Sequence, residues 1–122
     1  MENETQHEPG SCQSLMLAIQ DSLYVLSGKW KIPILLALFF GKKRFSEISK
    51  EIPKITDRML SKELRELEIN LLVRRQVFDT FPVTVEYEVT DYGRTLRGVI
   101  EALADWGIKH RKKIMSEDAV SE

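Results

Sequence analysis

The stretch "ITDRMLSKELRELE", Ile55 to Glu68, decides how this chain is read. Thr56 is a good helix N-cap, and Asp57 beside it suits the positive end of a helix dipole. Projected at about 100° per residue with Leu60 at zero, Leu64 falls near 40° and Leu67 near 340°, so three leucines share one face. Arg58 (about 160°), Ser61 (about 100°), Arg65 (about 140°) and Lys62 (about 200°) lie on the other side. Glu63 and Glu66, at about 300° and 240°, flank the leucine face and are expected to meet solvent or neighbouring lysines. The polar side is thus sorted by sign. An isolated charged face usually does no more than meet water, so the meaning of this one depends on what surrounds it.

Upstream, "FSEISKEI" (Phe45 to Ile52) puts Phe45, Ile48 and Ile52 on one side of a short helix that Pro53 ends. Before it, Trp30 to Phe40 reads as a helix apolar almost all round, with Pro33 tolerable in the first turn, and is expected at the centre of the core. An earlier helix follows Ser11 and carries Leu15, Ile19, Leu23 and Leu26 at helical spacing until Gly28-Lys29 breaks it. Downstream, "VRRQVF" and "VTVEYEVT" read as two strands of a hairpin turned by "DTFP". Thr90 then caps a final helix from Asp91 to about Lys113, with Leu96, Val99, Ile100, Leu103, Trp106 and His110 along one stripe. Three helices followed directly by a hairpin make a winged helix-turn-helix: a mainly α domain with a small β-hairpin wing. Residues 1–10 read as a mobile tail, 11–113 as the domain, and 114–122 as a flexible C-terminal tail.

The 122 residues, 43% hydrophobic and 30% charged, suit one compact domain. No apolar run approaches the roughly 20 residues a membrane span requires, and the polar N-terminus lacks the apolar region of a secretory signal, so a cytoplasmic protein with no membrane partner is expected. One cysteine, Cys12, builds no intrachain disulfide framework, and His7 and His110 form no ligand spacing, so neither a metal nor a cofactor is implied. Net charge is −1, yet residues 42–75 hold ten Lys and Arg against six Asp and Glu, whereas the rest of the chain holds eight against thirteen.

The positive segment therefore coincides with the helix-turn-helix. A helix fits the major groove of double-stranded DNA, where Arg pairs with guanine and Lys or Ser contacts base edges or phosphate. Arg58, Ser61, Lys62 and Arg65 are the expected reading residues. Lys42, Lys43, Arg44 and Lys54, together with Arg74 and Arg75 at the base of the wing, are the expected flanking contacts. The wing tip has no Lys or Arg, so deep minor-groove insertion is not expected. Glu86 and Glu88 share one strand face, but no nucleophile or oxyanion donor accompanies them. They read as a solvated face and the chain as no enzyme. Trp30 and Trp106 read as core residues rather than the lining of an effector pocket.

"GKWKIPIL" (Gly28 to Leu35), "GKKRFSEI" (Gly41 to Ile48), "ITDRMLSKELRELE", "VEYEVTDYGRTL" (Val85 to Leu96) and Trp106 together resemble the HxlR family of bacterial transcriptional regulators over Cys12 to about Lys112. The resemblance implies a winged helix-turn-helix protein that binds DNA as a homodimer. It places Arg58, Ser61, Lys62 and Arg65 on the recognition helix, Arg74 and Arg75 at the wing base, and the first and last helices in the dimer interface. The interface would use Leu15, Ile19 and Leu23 on the first helix and Leu96, Val99, Leu103 and Trp106 on the last. The last stripe also exceeds what a small core needs from one helix, which itself favours a dimer.

Two departures from the family stand out. Members usually have Gly after the recognition helix, where this chain has Leu71, so Asn70 is expected to take the left-handed cap. Many have Pro after the N-terminal cysteine, where this chain has Gln13. Some members sense oxidants or electrophiles through that cysteine, and the first turn of a helix favours a thiolate at Cys12. A bystander cysteine at the interface is the competing reading. The function expected is sequence-specific regulation of transcription on an inverted repeat, open to a redox or small-molecule effector. The alternative is a winged-helix protein-protein interaction module that reads no DNA.

Overall fold

A computed structural model describes residues 11–121, with side chains through residue 116; the tail expected at 1–10 lies outside the described residues. The elements run α1 (Cys12–Val25), α2 (Lys31–Phe39), β1 (Lys43–Arg44), α3 (Phe45–Glu51), α4 (Asp57–Ile69), β2 (Val73–Phe78), β3 (Thr84–Val89), a short 3-10 helix (Gly93–Leu96) and α5 (Arg97–Ser121). This is a winged helix-turn-helix in which α3 and α4 form the turn motif. The wing is the β2–β3 hairpin.

The core is built as the leucine spacing of α4 requires. Leu60, Leu64 and Leu67 are buried against Ile34, Leu35 and Leu38 of α2 and Ile48 of α3, with Val73, Tyr87 and Val89 closing the sheet side and Ile100 the α5 side. Thr56 caps α4 as its position predicts, its Oγ1 accepting from the Met59 N–H at 3.1 Å. Ser49 Oγ donates to Asp57 Oδ1 at 3.1 Å and ties α3 to the start of α4. α2 is less enclosed than its composition suggests, since Leu36 and Phe40 face outward.

Four expectations change. First, "GKKR" contributes a strand: Lys43 pairs with Tyr87 and Arg44 with Glu86, making a three-stranded antiparallel sheet of order β1-β3-β2. Second, Asn70 keeps φ −87° and Leu71 takes the left-handed conformation, φ 65°. The cause is a Schellman closure: Leu71 N–H donates to Glu68 O at 2.9 Å and Leu72 N–H to Leu67 O at 3.0 Å. This places Leu72 and Leu67 together in the core. The Asn70 amide instead turns back to Glu66 O at 3.1 Å. A leucine in this conformation costs about 1–2 kcal/mol, which core burial of Leu72 offsets.

Third, the last helix starts later and ends later than expected. Thr90 does not cap α5; it stands in the turn before the 3-10 helix, its Oγ1 accepting from Gly93 N–H at 2.9 Å and donating to Leu71 O at 2.7 Å. α5 then continues to Ser121, through the segment read as a C-terminal tail. Fourth, Trp106 is not core: it is 65% exposed and stacks on His110, ring centroids 4.7 Å apart. Trp30 does pack partly against the core.

Candidate nucleic-acid interface

The cationic arc of α4 is presented to solvent as the projection predicts, with Arg58, Ser61, Lys62 and Arg65 all exposed. Arg65 and Ser61 line a cleft of about 620 Å³ between α4 and the wing, with Glu68, Ile69, Arg75 and Tyr87 as its other walls. Arg75 therefore faces the same cleft as the cationic arc of α4. Arg74 does not: successive strand residues point to opposite faces, and Arg74 lies across the sheet from the cleft, its Nη2 3.2 Å from Glu88 Oε2. Reading the adjacent arginines as one wing-base pair overlooks this alternation.

The other flanking cations also separate into two sets. Lys42 Nζ is 3.8 Å from Glu86 Oε1, Lys43 Nζ 3.1 Å from Glu51 Oε2, and Lys62 Nζ 3.6 Å from Glu66 Oε2. Arg44, Lys54, Arg58, Arg65 and Arg75 face no carboxylate within ion-pair distance among the described residues. Lys54 sits in the α3–α4 turn with φ 71°. Arg44 opens α3, and its backbone N–H donates to Glu47 Oε1 at 2.7 Å. Glu86 and Glu88 are thus half-buried partners of basic side chains rather than a solvated strand face. The Lys42 contact is a charge contact only, for Glu86 Oε1 is buried without a hydrogen bond.

Ion pairs like these, each with at least one exposed partner, contribute little to the fold, about 1 kcal/mol or less. Phosphate oxygens can replace their carboxylates. The unpaired arginines can meet DNA without giving up a partner.

The sequence reading missed one arrangement beneath the arc. Lys31, the first residue of α2, is 4% exposed, and its Nζ donates to Glu63 Oε1 and to Glu66 Oε1, both at 2.6 Å. Of the two expectations for Glu63, solvent or a lysine, the second holds: it is buried and meets Lys31, a lysine contributed by α2 rather than by its own helix. Burial by itself pushes the Lys31 pKa down, but the hydrogen bonds and charges of the two carboxylates outweigh it and hold the pKa above 10.5. Glu66 is held below its ordinary 4.5, chiefly by the hydrogen bond from Lys31 against opposing burial, with the charges of Lys31 and Lys62 assisting. Two signals pointed there. Lys31 is the one cation of an otherwise apolar helix, and Glu63 lies about 60° from Leu60, at the margin of a stripe at least 100° wide.

The expected dimerisation residues divide similarly. Leu15, Ile19, Leu23, Val99, Leu103 and Trp106 are 44–65% exposed, and α1 buries no residue. Leu96 instead packs partly against the core of its own domain. Cys12 opens α1 and is exposed. No described helix is long and apolar enough to cross a membrane, and no group of three or more potential metal ligands occurs among the described residues.

Residues 25–115 match the family described as HxlR-like helix-turn-helix. The chain is 41% identical over 101 residues to the HTH-type transcriptional regulator YtcD of Bacillus subtilis, covering 83% of this chain and 80% of YtcD. It is 46% identical over 96 residues to the HTH-type regulator YdeP of the same organism, covering 79% and 75%. Its fold is similar to that of the redox regulator HypR in the reduced form, with a TM-score of 0.76, 39% identity and coverage of 81% of this chain and 98% of that one.

Proposed function

This chain belongs to the HxlR-like helix-turn-helix family of DNA-binding transcriptional regulators, and we propose that it acts in the cytoplasm as a homodimer on an inverted-repeat operator. The observation that carries this reading is the shared cleft of α4 and the wing, where Arg65, Ser61 and Arg75 stand together with no carboxylate paired to either arginine among the described residues. In this reading α4 enters the major groove. Arg58 and Arg65 read guanine edges, while Ser61 and Lys62 contact base edges or phosphate. Arg44, Lys54 and Arg75, followed by Lys42 and Lys43 after exchange of their carboxylates, hold the flanking backbone. Arg74 has the least claim, because it lies on the far face of the sheet.

Two recognition helices related by a two-fold axis read half-sites about 34 Å apart or a multiple of it. The exposed apolar residues of α1 and α5 supply the surface for the second copy: a single chain leaves Leu15, Ile19, Leu23, Val99, Leu103 and Trp106 in water. The same arrangement counts against a protein-protein module without DNA readout, since such a module has no need of a cationic arc facing its wing. No catalytic role is assigned to any residue.

The test is selection of bound duplexes from a random oligonucleotide pool at stated salt, followed by mobility-shift titration. Arg58→Ala and Arg65→Ala together should weaken binding to the selected duplex by about 1–3 kcal/mol per lost contact and relax base preference. Lys43→Ala should weaken all sequences alike. Unchanged binding in the double variant refutes this assignment of the face.

A second, subordinate reading concerns regulation. The exposed Cys12 thiol and the likeness to the redox regulator HypR support pairing of two Cys12 thiols across the dimer. Diamide would accept the two electrons and two protons released as the disulfide forms. Unchanged DNA affinity and unchanged non-reducing gel mobility after diamide treatment would rule it out.

A further inference from the structure

The Lys31 network raises a question that stability does not answer. A buried ion pair is a poor stabiliser compared with apolar side chains of the same volume, yet α2 begins with a buried ammonium at the floor of a cleft it shares with Glu66 and Lys62, rather than with a leucine. Its two partners stand three residues apart on the recognition helix and on no other element. Neither Glu63 nor Lys31 is exposed enough to touch DNA.

The three leucines that bury α4 fix which face meets the core, but their contacts are non-directional and define the roll of the helix less sharply than a directional bond does. Charge-assisted hydrogen bonds of 2.6 Å are directional and tolerate little displacement. With side chains reaching roughly 6 Å from the axis, a roll of about 20° moves their tips by about 2 Å. That exceeds the span of usable hydrogen-bond distances. The ends of α4 are held by the Thr56 cap and the Schellman closure at Leu71, whereas its middle is held by Lys31. Glu66 also draws Lys62 to 3.6 Å, so the network reaches the cationic arc itself.

We propose that Lys31 is a positioning residue for DNA readout: by gripping Glu63 and Glu66 it fixes the roll of α4, and so the direction in which Arg58, Ser61 and Arg65 meet base edges. The inference rests on the DNA-reading function proposed above. It makes Lys31 and Glu63 determinants of sequence discrimination although neither touches nucleic acid.

The experiment uses the full chain with Lys31→Met and Glu63→Met combined, which replaces the buried pair with apolar side chains and leaves the net charge unchanged. Fluorescence anisotropy at one salt concentration compares the duplex selected by the wild-type protein with a scrambled duplex of the same composition. Binding to the scrambled duplex is electrostatic and should stay within about twofold of wild type. The ratio of the two affinities should fall by roughly tenfold, comparable to the loss of one base contact. A folded double variant with the wild-type ratio overturns the proposal, because the network is then structural only. If that variant does not fold, Glu63→Gln takes its place, keeping the Glu66 pair and the side-chain shape. Its ratio should fall about threefold, and an unchanged ratio again overturns the proposal. If the wild-type protein itself does not discriminate, the DNA-reading function fails, and this inference with it.

Discussion

Adding one methyl group at Gly93 is expected to destabilise the protein more than removing most surface charges would. A Cβ there would lie 2.2 Å from Leu72 O and 2.8 Å from Val89 Cγ1, against the 3.4–4 Å of ordinary contact. Leu72 O cannot retreat freely, because it accepts the Thr90 N–H at 3.0 Å. Leu72 itself closes the Schellman turn. Val89 is buried in the core and paired with Val73. Overpacking of a rigid site costs about 1–3 kcal/mol, and loosening the Thr90 hydrogen bonds adds about 1 kcal/mol. Gly93→Ala should therefore lose about 3 kcal/mol. At about 3–5 °C per kcal/mol for a chain of this size, the melting temperature should fall by roughly 10–15 °C.

Gly98→Ala is the internal control. Gly98 lies in α5 with nothing within 4 Å of the added carbon, so helix propensity alone should raise stability by about 0.5–1 kcal/mol. Thermal unfolding followed by circular dichroism, at one protomer concentration, reads both. A Gly93→Ala midpoint within about 2 °C of wild type refutes the close approach on which the figure rests.

Three further outcomes follow from the same geometry. In urea titrations the Lys31 network should give full stability between the ordinary carboxylate value of 4.5 and the ordinary lysine value of 10.5. Stability should fall as pH drops through the lowered Glu66 pKa, and again as pH rises through the raised Lys31 pKa. Lys31→Met should abolish the alkaline limb and most of the acid limb, leaving only the smaller effect of Lys62 on Glu66. In mobility shifts, Arg75→Ala should weaken DNA binding about five- to tenfold while Arg74→Ala stays within about twofold, since only Arg75 lines the α4 cleft. In light scattering, Leu103→Asp should convert a species of twice the 14.1 kDa chain mass into one of that mass and weaken DNA binding; an unchanged mass would exclude α5 as the interface.

Most of the fold was legible because its signals are periodic. The α4 leucines, the Thr56 cap and the alternation of β3 each depend on a spacing that sequence displays directly. β1 was not legible, because two residues carry no period and Lys43 and Arg44 become a strand only when β3 offers an edge. Leu71 ran against its own preference: asparagine tolerates the left-handed conformation better, but the chain must turn one residue later for Leu72 to reach the core. At the site, the exposed arc followed from helix geometry alone. Which cations stand free and which are held did not, because those partners come from other elements: Glu88 for Arg74, Glu86 for Lys42, Glu51 for Lys43. The Lys31 contact spans 32 residues in sequence, beyond the reach of any local pattern.

The Thr90 hydroxyl joins three parts of the molecule within a few ångströms: the end of α4 through Leu71 O, the end of β3 through its own backbone, and the approach to α5 through Gly93 N–H. No flexible tether separates the DNA-facing body from the helix proposed to hold the second copy. In mechanical terms α5 is a handle welded to the reading head. In the proposed homodimer, the angle at which two such handles cross would set the gauge between the heads while each head stays intact.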